Sequence, residues 1–556
     1  MSLSRLVPEY KTNPTEKNFH APHKEPNKKN QSPKRMAVVL LFLSLGSFLV
    51  LQTSRPLSRL DNYLNSYKKI TAKSKKLEGD LGQLAYTSLQ GTSRVSSSAI
   101  SDLKKTTEGL MDDITTTSAS YSHVPEILKK VSYIDSTFQK LKLIQRQTSD
   151  VTQITPFLLR FFSDKEERSY IVLLQDNLEI RPHGGFPLGI FLVTFENGQV
   201  TQIVPYATSQ FSVSTSPPPQ YAGITHQKNF RLSDGLWDLD YPTSAKKFLG
   251  TAEKVFSKPL SGLISVNLSV VSQVLNRDVT NQYLQILTKQ GDNGDFTRLL
   301  MDEIIAQLYQ FTPSQISEVL QDLSPYLSSG DIRLYFSDTG LESALPQSLT
   351  GQLSFPGCRA KVECLVNFIY PVDTNISFNK TGSSVSRQVS VSSSLNSDEV
   401  LTKVAITYRY PLADQNWPYG PYKNYFRLIL PASIKISSIS RNSQTLPQNE
   451  YSLEYFGSFS QLSTVISISP SSTSDLEVIY SQPLPTQPVF HYQQDFLSQP
   501  GLQTQVGEFF INYPSIWYIT SYQLPLLAQP GELKYNAFTS GTTKIDLDIS
   551  QSDTRL

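Results

Sequence analysis

The sequence predicts an α/β domain followed by an all-β domain, both carried on an N-terminal transmembrane helix and a helical stalk. Three observations support this prediction. An uncharged apolar run occupies residues 36–54, apolar residues recur at helical spacing from Leu57 to about Phe162, and short β-type runs replace that spacing after Tyr170. We therefore divide the chain into segments 1–35, 36–54, 55–164, 165–357 and 358–556.

The apolar run at residues 36–54 has the length of a membrane anchor. It contains 19 residues without a charge, and a helix needs about 20 apolar residues to cross a bilayer core. The preceding segment, residues 1–35, carries eight Lys or Arg residues against three Glu and has the composition of a disordered basic tail. This asymmetry predicts a single-pass protein of the cell membrane with a cytoplasmic N-terminus and an extracytoplasmic remainder. A cleaved signal peptide is the alternative, but the N-terminal region is long for one and no small-x-small cleavage site follows.

Composition excludes several function classes. The formal net charge is +2 with 18% charged residues, so no strong field favours a nucleic acid partner. The six histidines are scattered, and only His183 lies near the polar block described below, so we expect no metal site. No P-loop, G-x-S-x-G or H-E-x-x-H motif occurs, and no cofactor is expected. A non-catalytic role is preferred, although the sequence leaves the question of an enzyme open.

The stalk, residues 55–164, is predicted to be helical. Apolar residues step by three and four near Leu57 and again near Ile134, with breaks expected at Gly91 and Pro125. An intramolecular bundle of helices is favoured over a continuous coiled coil, because polar residues interrupt the first apolar seam.

Strand patterns begin at Tyr170. The run YIVLLQ is typical of a buried strand, and Glu196-Asn197-Gly198 predicts a hairpin between the next two strands. Helical patterns then alternate with strands up to about residue 355, which predicts an α/β domain. Beyond Cys364, short alternating runs separated by Ser, Pro and Asn predict a β-sandwich. Cys358 and Cys364 would lie on the oxidising side of the membrane and are a candidate disulfide, with two free thiols as the alternative.

A polar, glycine-containing block spans Gln175 to Phe186, QDNLEIRPHGGF. It resembles the signature of the domain of unknown function 4012 family, a group of bacterial envelope proteins. DGLWDLDYPTSA, YKNYFRLILP and VDTNISFNK resemble further segments of that family. The resemblance covers most of the chain and implies a membrane-anchored envelope protein, without implying an activity.

The block also supplies candidate ligand-binding residues. Asn177, Glu179 and Arg181 alternate, so on an extended strand their side chains would share one face. With Gly184 and Gly185 beside them, they could hold an anion such as a phosphate or a carboxylate. The alternative is structural: Glu179 and Arg181 pair with each other or with Asp240, and the glycines only turn the chain.

A second candidate pair is Trp237 with Asp240. An aromatic face beside a hydroxyl acceptor is typical of a sugar site, but a Trp before a helix is also typical of packing, with Asp240 or Thr243 as the helix cap.

These observations predict a protein that binds or organises a cell-wall polymer, a glycan, a polyprenyl phosphate or a surface partner. The alternative is a phosphotransferase distantly similar to the LytR-CpsA-Psr enzymes, which attach polymers to the cell wall. Such an enzyme needs clustered cations around a diphosphate, and these are poorly represented near Arg181.

Overall fold

The computed structural model describes residues 54–91, 95–124, 126–290, 294–414, 416–502, 505–522, 527–538 and 541–551. The predicted basic tail and residues 36–53 of the predicted membrane span lie outside these ranges. Ser54 is the first residue of the first described helix. Within the described ranges, no helix has both the length and the apolar character needed to cross a bilayer.

Helices make up the first part of the described chain: α1 Ser54–Gln90, α2 Ser97–Ser122, α3 Glu126–Lys129 and α4 Ser132–Ser163. The break predicted at Gly91 is present, because Gly91 follows α1 with a φ of 61°, where a Cβ atom would be strained. Apolar residues of α1, α2 and α4 enclose one core that includes Ile70, Leu110 and Leu141. The helices therefore form an intramolecular bundle.

Contacts across the bundle define the relative directions of its helices. The ring of Tyr63 on α1 lies 5.3 Å from that of Tyr121 on α2, and its hydroxyl lies 3.1 Å from that of Thr137 on α4. Further along α1, Lys73 pairs with Asp113, which precedes Tyr121 on α2. Because the partner number falls as the α1 number rises, α2 runs antiparallel to α1. The connection between α2 and α4 therefore lies beside the beginning of α1.

The α/β region contains a five-stranded sheet of order β3-β2-β1-β6-β7. Its strands are β1 Arg168–Arg181, β2 Gly184–Glu196, β3 Gln199–Ala207, β6 Gly262–Asn267 and β7 Ile332–Phe336. A separate small ladder pairs β4 Ser214–Thr215 with β5 Phe230–Arg231. The helices are α5 Pro219–Thr225, α6 Tyr241–Phe256, α7 Leu268–Val274, α8 Val279–Gln290, α9 Asp295–Gln310, α10 Pro313–Ser329, α11 Thr339–Ser343 and α12 Gln347–Thr350. β1 pairs parallel with β6, and the other neighbours in the five-stranded sheet are antiparallel.

The hairpin predicted at Glu196-Asn197-Gly198 is confirmed. β2 and β3 are antiparallel, and Glu196 pairs with Gln199. Asn197 and Gly198 between them have φ values of 53° and 78°. Two positive φ values in a two-residue loop match the twist of the flanking strands.

The C-terminal region is β-rich, as predicted. An eight-stranded sheet has the order β13-β12-β16-β10-β9-β18-β21-β20, and a seven-stranded sheet has the order β14-β15-β11-β8-β17-β22-β19. The strands are β8 Cys364–Val372, β9 Ser386–Leu395, β10 Glu399–Tyr410, β11 Tyr422–Pro431, β12 Lys435–Arg441, β13 Gln444–Thr445, β14 Tyr451–Phe456, β15 Phe459–Ile468, β16 Ser472–Pro483, β17 Val489–Leu497, β18 Gln505–Asn512, β19 Tyr518–Tyr522, β20 Leu527–Gln529, β21 Glu532–Phe538 and β22 Thr542–Ser550. Apolar residues from both sheets, among them Val404 and Phe426, form one core cluster, so the sheets pack face to face.

A disulfide lies where the chain enters the β region. Cys358 and Cys364 are bonded, with their Cα atoms 5.9 Å apart. Arg359, inside the closed loop, donates to Asp495 on β17 at 2.7 Å and also pairs with Asp546 on β22. The disulfide loop is thereby held against the seven-stranded sheet.

Candidate functional site

The polar block predicted from the sequence lies at the junction between the α/β region and the β region. Of the candidate residues, Asp240 is partly buried and the remaining six are buried: Asn177, Glu179, Arg181, Gly184, Gly185 and Trp237. Arg181 has only 1% of its surface exposed. The block therefore faces protein rather than solvent.

The charged residues of the block form a compact network with a lysine from the β region. Arg181 Nη2 donates to Glu179 Oε1 at 2.7 Å. The other Glu179 oxygen, Oε2, accepts from Lys380 Nζ at 2.8 Å. Lys380 Nζ also lies 2.9 Å from Asp176 Oδ2. Two acidic and two basic side chains alternate in this network, so their formal charges cancel.

Burial sets the electrostatics of the network. Removal from water raises the pKa of Asp176, and the neighbouring ammonium of Lys380 offsets part of that rise. Burial alone would lower the pKa of Lys380, but the carboxylates of Asp176 and Glu179 outweigh it and hold this pKa well above its usual value. The ring of Phe186 lies 5.0 Å from Lys380 Nζ and 5.6 Å from the guanidinium of Arg181. An aromatic face therefore covers both cations.

A break in the strand ladder directs the block toward the β region. Asp176 pairs with Phe186 on β2 and Ile180 pairs with Gly185, which leaves residues 177–179 outside the ladder. Asn177 Nδ2 then donates to the Gly501 carbonyl at 3.3 Å, and Arg181 Nη1 donates to the carbonyl of Asn375. As the alternation predicted, Asn177, Glu179 and Arg181 point toward one neighbour, but that neighbour is the β region of the same chain.

The two glycines are needed for close packing. A Cβ atom on Gly184 would lie 2.3 Å from Asn267 Oδ1, and Gly184 has a φ of 122°. A Cβ atom on Gly185 would lie 2.2 Å from the Asp176 carbonyl carbon. Side chains at either position would force strand β1 or β6 to move. This packing accounts for both glycines without an anion beside their backbone.

Trp237 and Asp240 also have partners within the protein. Trp237 stacks on Tyr425 with 5.6 Å between ring centres, and the guanidinium of Arg427 lies 5.3 Å from the Trp237 ring. Asp240 is the N-cap of α6, accepting from the backbone N–H of Thr243 at 3.0 Å. Its second oxygen accepts from Leu353 N at 2.9 Å. Both residues serve packing and capping in this arrangement.

Sequence reasoning did not assign a role to His183. Its Nε2–H donates to the Asp238 carbonyl at 2.7 Å, and its ring packs edge-on against Tyr241 at 5.2 Å. Burial, together with the nearby cations Arg333 and Arg427, lowers the pKa of His183 to about 3. His183 is therefore neutral at neutral pH.

A cavity of about 630 Å³ lies away from this junction, between α1, α4 and α10. Its walls are mostly apolar side chains, among them Leu77, Leu84, Leu158, Phe161, Ile316 and Leu323. The cavity lies within the usual range for small-molecule sites, about 300–1,000 Å³. Sequence reasoning missed it, because the cavity exists only where α1, α4 and α10 pack together.

A close helix contact closes one side of this cavity. A Cβ atom on Gly82 of α1 would lie 2.0 Å from Ser317 Oγ of α10. Ser317 Oγ donates to the Glu78 carbonyl on α1 at 2.9 Å. The stalk and the α/β region are therefore joined firmly on one side of the cavity, while its other walls are apolar side chains.

The charged residues that line the cavity are both acidic, Glu78 and Asp150. Within the part of the chain that the structure describes, no group of three or more His, Cys, Asp or Glu side chains is arranged to hold a metal ion. The chemistry offered by the cavity is thus apolar burial, with carboxylates and amides at its margin.

Two solved structures illustrate the partial likenesses that comparison finds. An M1 zinc metallopeptidase from Deinococcus radiodurans is 12% identical with a TM-score of 0.17, and the match covers 30% of this chain and 42% of that chain. Yeast LTA4 hydrolase is 7% identical with a TM-score of 0.19, and the match covers 30% and 29% of the two chains. The match thus spans less than half the length of either enzyme, and these TM-scores support no inference about fold or activity.

Comparison with sequence families is more specific. No curated protein matches the chain. Residues 165–290 match the family model described as "Protein of unknown function (DUF4012)". That range begins just before β1 and contains the polar block, Trp237 and Asp240, which confirms the resemblance inferred from those residues. Residues 165–290 therefore form a region of the DUF4012 type, a family of proteins of unknown function.

Proposed function

We propose that the chain is a membrane-anchored, extracytoplasmic binding protein of the bacterial cell envelope, without catalysis of its own. The observation that supports this proposal is the apolar cavity of about 630 Å³ between the stalk and the α/β region. Burial of an apolar ligand there would release water from leucine and phenylalanine surfaces, which is the main driving force for association. The proposed anchor at residues 36–54 would hold the protein at the cell membrane.

The size and lining of the cavity define the class of ligand. At about 30 Å³ for each water-sized group, the cavity holds about twenty such groups, which suits an acyl or prenyl chain. Because its charged lining residues are Glu78 and Asp150, the polar end of the ligand should be neutral or cationic. A neutral lipid-bearing glycan or polymer fits both conditions. A polyprenyl phosphate fits the apolar walls but would bring its anionic end toward carboxylates.

The polar junction does not support phosphoryl transfer. Arg181, the candidate anion-binding residue, already pairs with Glu179 at 2.7 Å and contacts the β region. A diphosphate would have to displace these partners from a buried position. For this reason the binding role, rather than a LytR-CpsA-Psr-like transferase, is the proposal we carry forward.

Filling the cavity should abolish ligand binding. Ala85 lines the cavity on α1, and Ala85→Trp would place an indole inside it. We expect the affinity of the full-length protein for methyl cis-parinarate, an uncharged fluorescent probe with an eighteen-carbon chain, to fall at least ten-fold. Fluorescence titration in neutral detergent measures this affinity.

The matched control is Ala72→Trp, at an exposed position on the same helix. It adds the same side chain outside the cavity and should leave probe affinity unchanged. Equal binding by wild type and Ala85→Trp, with both proteins folded by circular dichroism, would place the probe elsewhere. Failure of the wild type to bind any apolar probe would remove the basis of the proposed function.

The proposed topology has a separate test. Protease added to spheroplasts should digest the chain after Arg55 and leave an N-terminal epitope tag attached to a fragment of the first 54 or so residues. The reason is that the eight cations before the span favour retention of the tail in the cytoplasm. Protection of the β region, detected with an antibody to it, would reverse the assignment of sides.

A further inference from the structure

An exposed apolar surface lies at the end of the helical bundle. We define the hairpin tip as residues 126–133, the short helix α3 with the residues that lead from it into the first turn of α4. Ile127 is 78% exposed, Tyr133 is 59% exposed and Val131 is 46% exposed. Large apolar side chains this open and this close together, at a protruding turn, are typical of surfaces that meet a partner or a membrane.

The position of the tip indicates that its partner is the membrane. Tyr63 on α1 contacts Tyr121 and Thr137, which flank the tip on either side. Tyr63 lies nine residues after Ser54, about 13 Å along the helix at 1.5 Å per residue. From Tyr121 and Thr137 the chain continues past Tyr63 in the same direction. The tip therefore lies near the level of Ser54, where the proposed membrane span ends.

The charges around the tip fit a lipid surface. Residues 122–143 contain Lys129, Lys130, Lys140 and Lys142 against Glu126 and Asp135. Lys130, Lys140 and Lys142 are exposed. Apolar side chains flanked by lysines are the arrangement by which surface segments bind anionic bilayers.

We propose that the hairpin tip inserts Ile127, Val131 and Tyr133 into the outer leaflet of the bilayer in which the proposed anchor, residues 36–54, would lie. This inference rests on the proposed membrane anchor and adds a second point of attachment to it. Two attachments would keep α1 upright on the membrane. The cavity wall from Leu77 to Leu89 would then stand about 35–50 Å above the surface, 23 to 35 residues along α1 from Ser54.

The test uses the full-length protein in vesicles of phosphatidylcholine and phosphatidylglycerol. A nitroxide is attached to Ile127→Cys, and the paired native cysteines, Cys358 and Cys364, leave the introduced thiol as the labelling site. Paramagnetic relaxation then compares collisions with oxygen, which concentrates in lipid, and with a water-soluble nickel chelate. We expect the label at residue 127 to collide several times more often with oxygen than with nickel.

The matched control is a label at Leu299→Cys. Leu299 is an exposed apolar residue on α9, with 65% of its surface open. The last turn of α9 contacts the far end of α1 through a hydrogen bond from Gln90 to the Tyr309 carbonyl at 2.9 Å. We therefore expect the label at residue 299 to favour the nickel reagent.

Flotation of the vesicles separates the two proposals. If the protein does not float with the lipid, the anchor and the tip proposal are both overturned. If it floats but the label at residue 127 behaves like the label at 299, the anchor stands and the tip proposal is wrong. Shielding of residue 127 from both reagents, with broadening between labels, would indicate a second copy of the chain on the tip and would also overturn it.

Discussion

Replacing Arg181 by Ala should lower the free energy of unfolding by about 3–5 kcal/mol, the usual cost of removing one member of a buried ion pair. The change would leave Glu179 buried with Lys380 as its remaining cation and would free the Asn375 carbonyl from its donor. Arg181→Lys should recover only part of this loss, because an ammonium cannot reach Glu179 and Asn375 with the geometry of a guanidinium. Denaturant unfolding monitored by tyrosine and tryptophan fluorescence measures both variants.

The matched control is Arg168→Ala, on the same strand. Arg168 pairs with Asp164 at 3.1 Å, but 40% of its side chain is exposed, and exposed pairs contribute less than about 1 kcal/mol. A loss at Arg181 no larger than the loss at Arg168 would contradict the burial of the network. Loss of ligand binding by Arg181→Ala at unchanged stability would instead favour the anion-binding role of the QDNLEIRPHGGF block.

The protein should lose stability below pH 6.5 because of His183. Its pKa is about 3 in the folded protein against 6.5 for a free histidine, so the unfolded chain takes up a proton that the folded protein does not. Because the pKa of His183 is lower in the folded state, the contribution of this neutral side chain to the free energy of unfolding is complete above pH 6.5. That contribution declines as the pH falls toward 3. Each pH unit in this window lowers the free energy of unfolding by about 1.4 kcal/mol, so the loss reaches about 3 kcal/mol by pH 4.

His183→Gln isolates this effect, because the amide can still donate to the Asp238 carbonyl but does not titrate. We expect the stability difference between wild type and His183→Gln to shift by about 3 kcal/mol in favour of the variant between pH 7 and pH 4. Burial raises the pKa of Asp176 and produces a pH dependence of opposite sign, but both proteins share it. A constant difference between wild type and His183→Gln would contradict a buried neutral His183.

Local chemistry in the sequence was sufficient to predict several of the elements. The Asn197-Gly198 turn was predictable because the two-residue hairpin requires positive φ, which these residues adopt easily. The bundle helices were predictable from apolar spacing, and Gly91 from its tolerance of a left-handed conformation. Residues in the QDNLEIRPHGGF block and around Trp237 were sufficient to identify the family whose model matches residues 165–290.

Only the tertiary structure decided what surrounds those residues. Glu179 meets Lys380 across 201 positions of sequence, and neither the spacing nor the type of Glu179 distinguishes that partner from an anionic ligand. The cavity likewise depends on how closely α10 approaches α1 at Gly82 and Ser317, a distance that no single helix encodes. Periodicity reports which face of an element is apolar, because that pattern is local. Charge partners and cavities form where elements distant in sequence pack together, so only the tertiary structure could identify them.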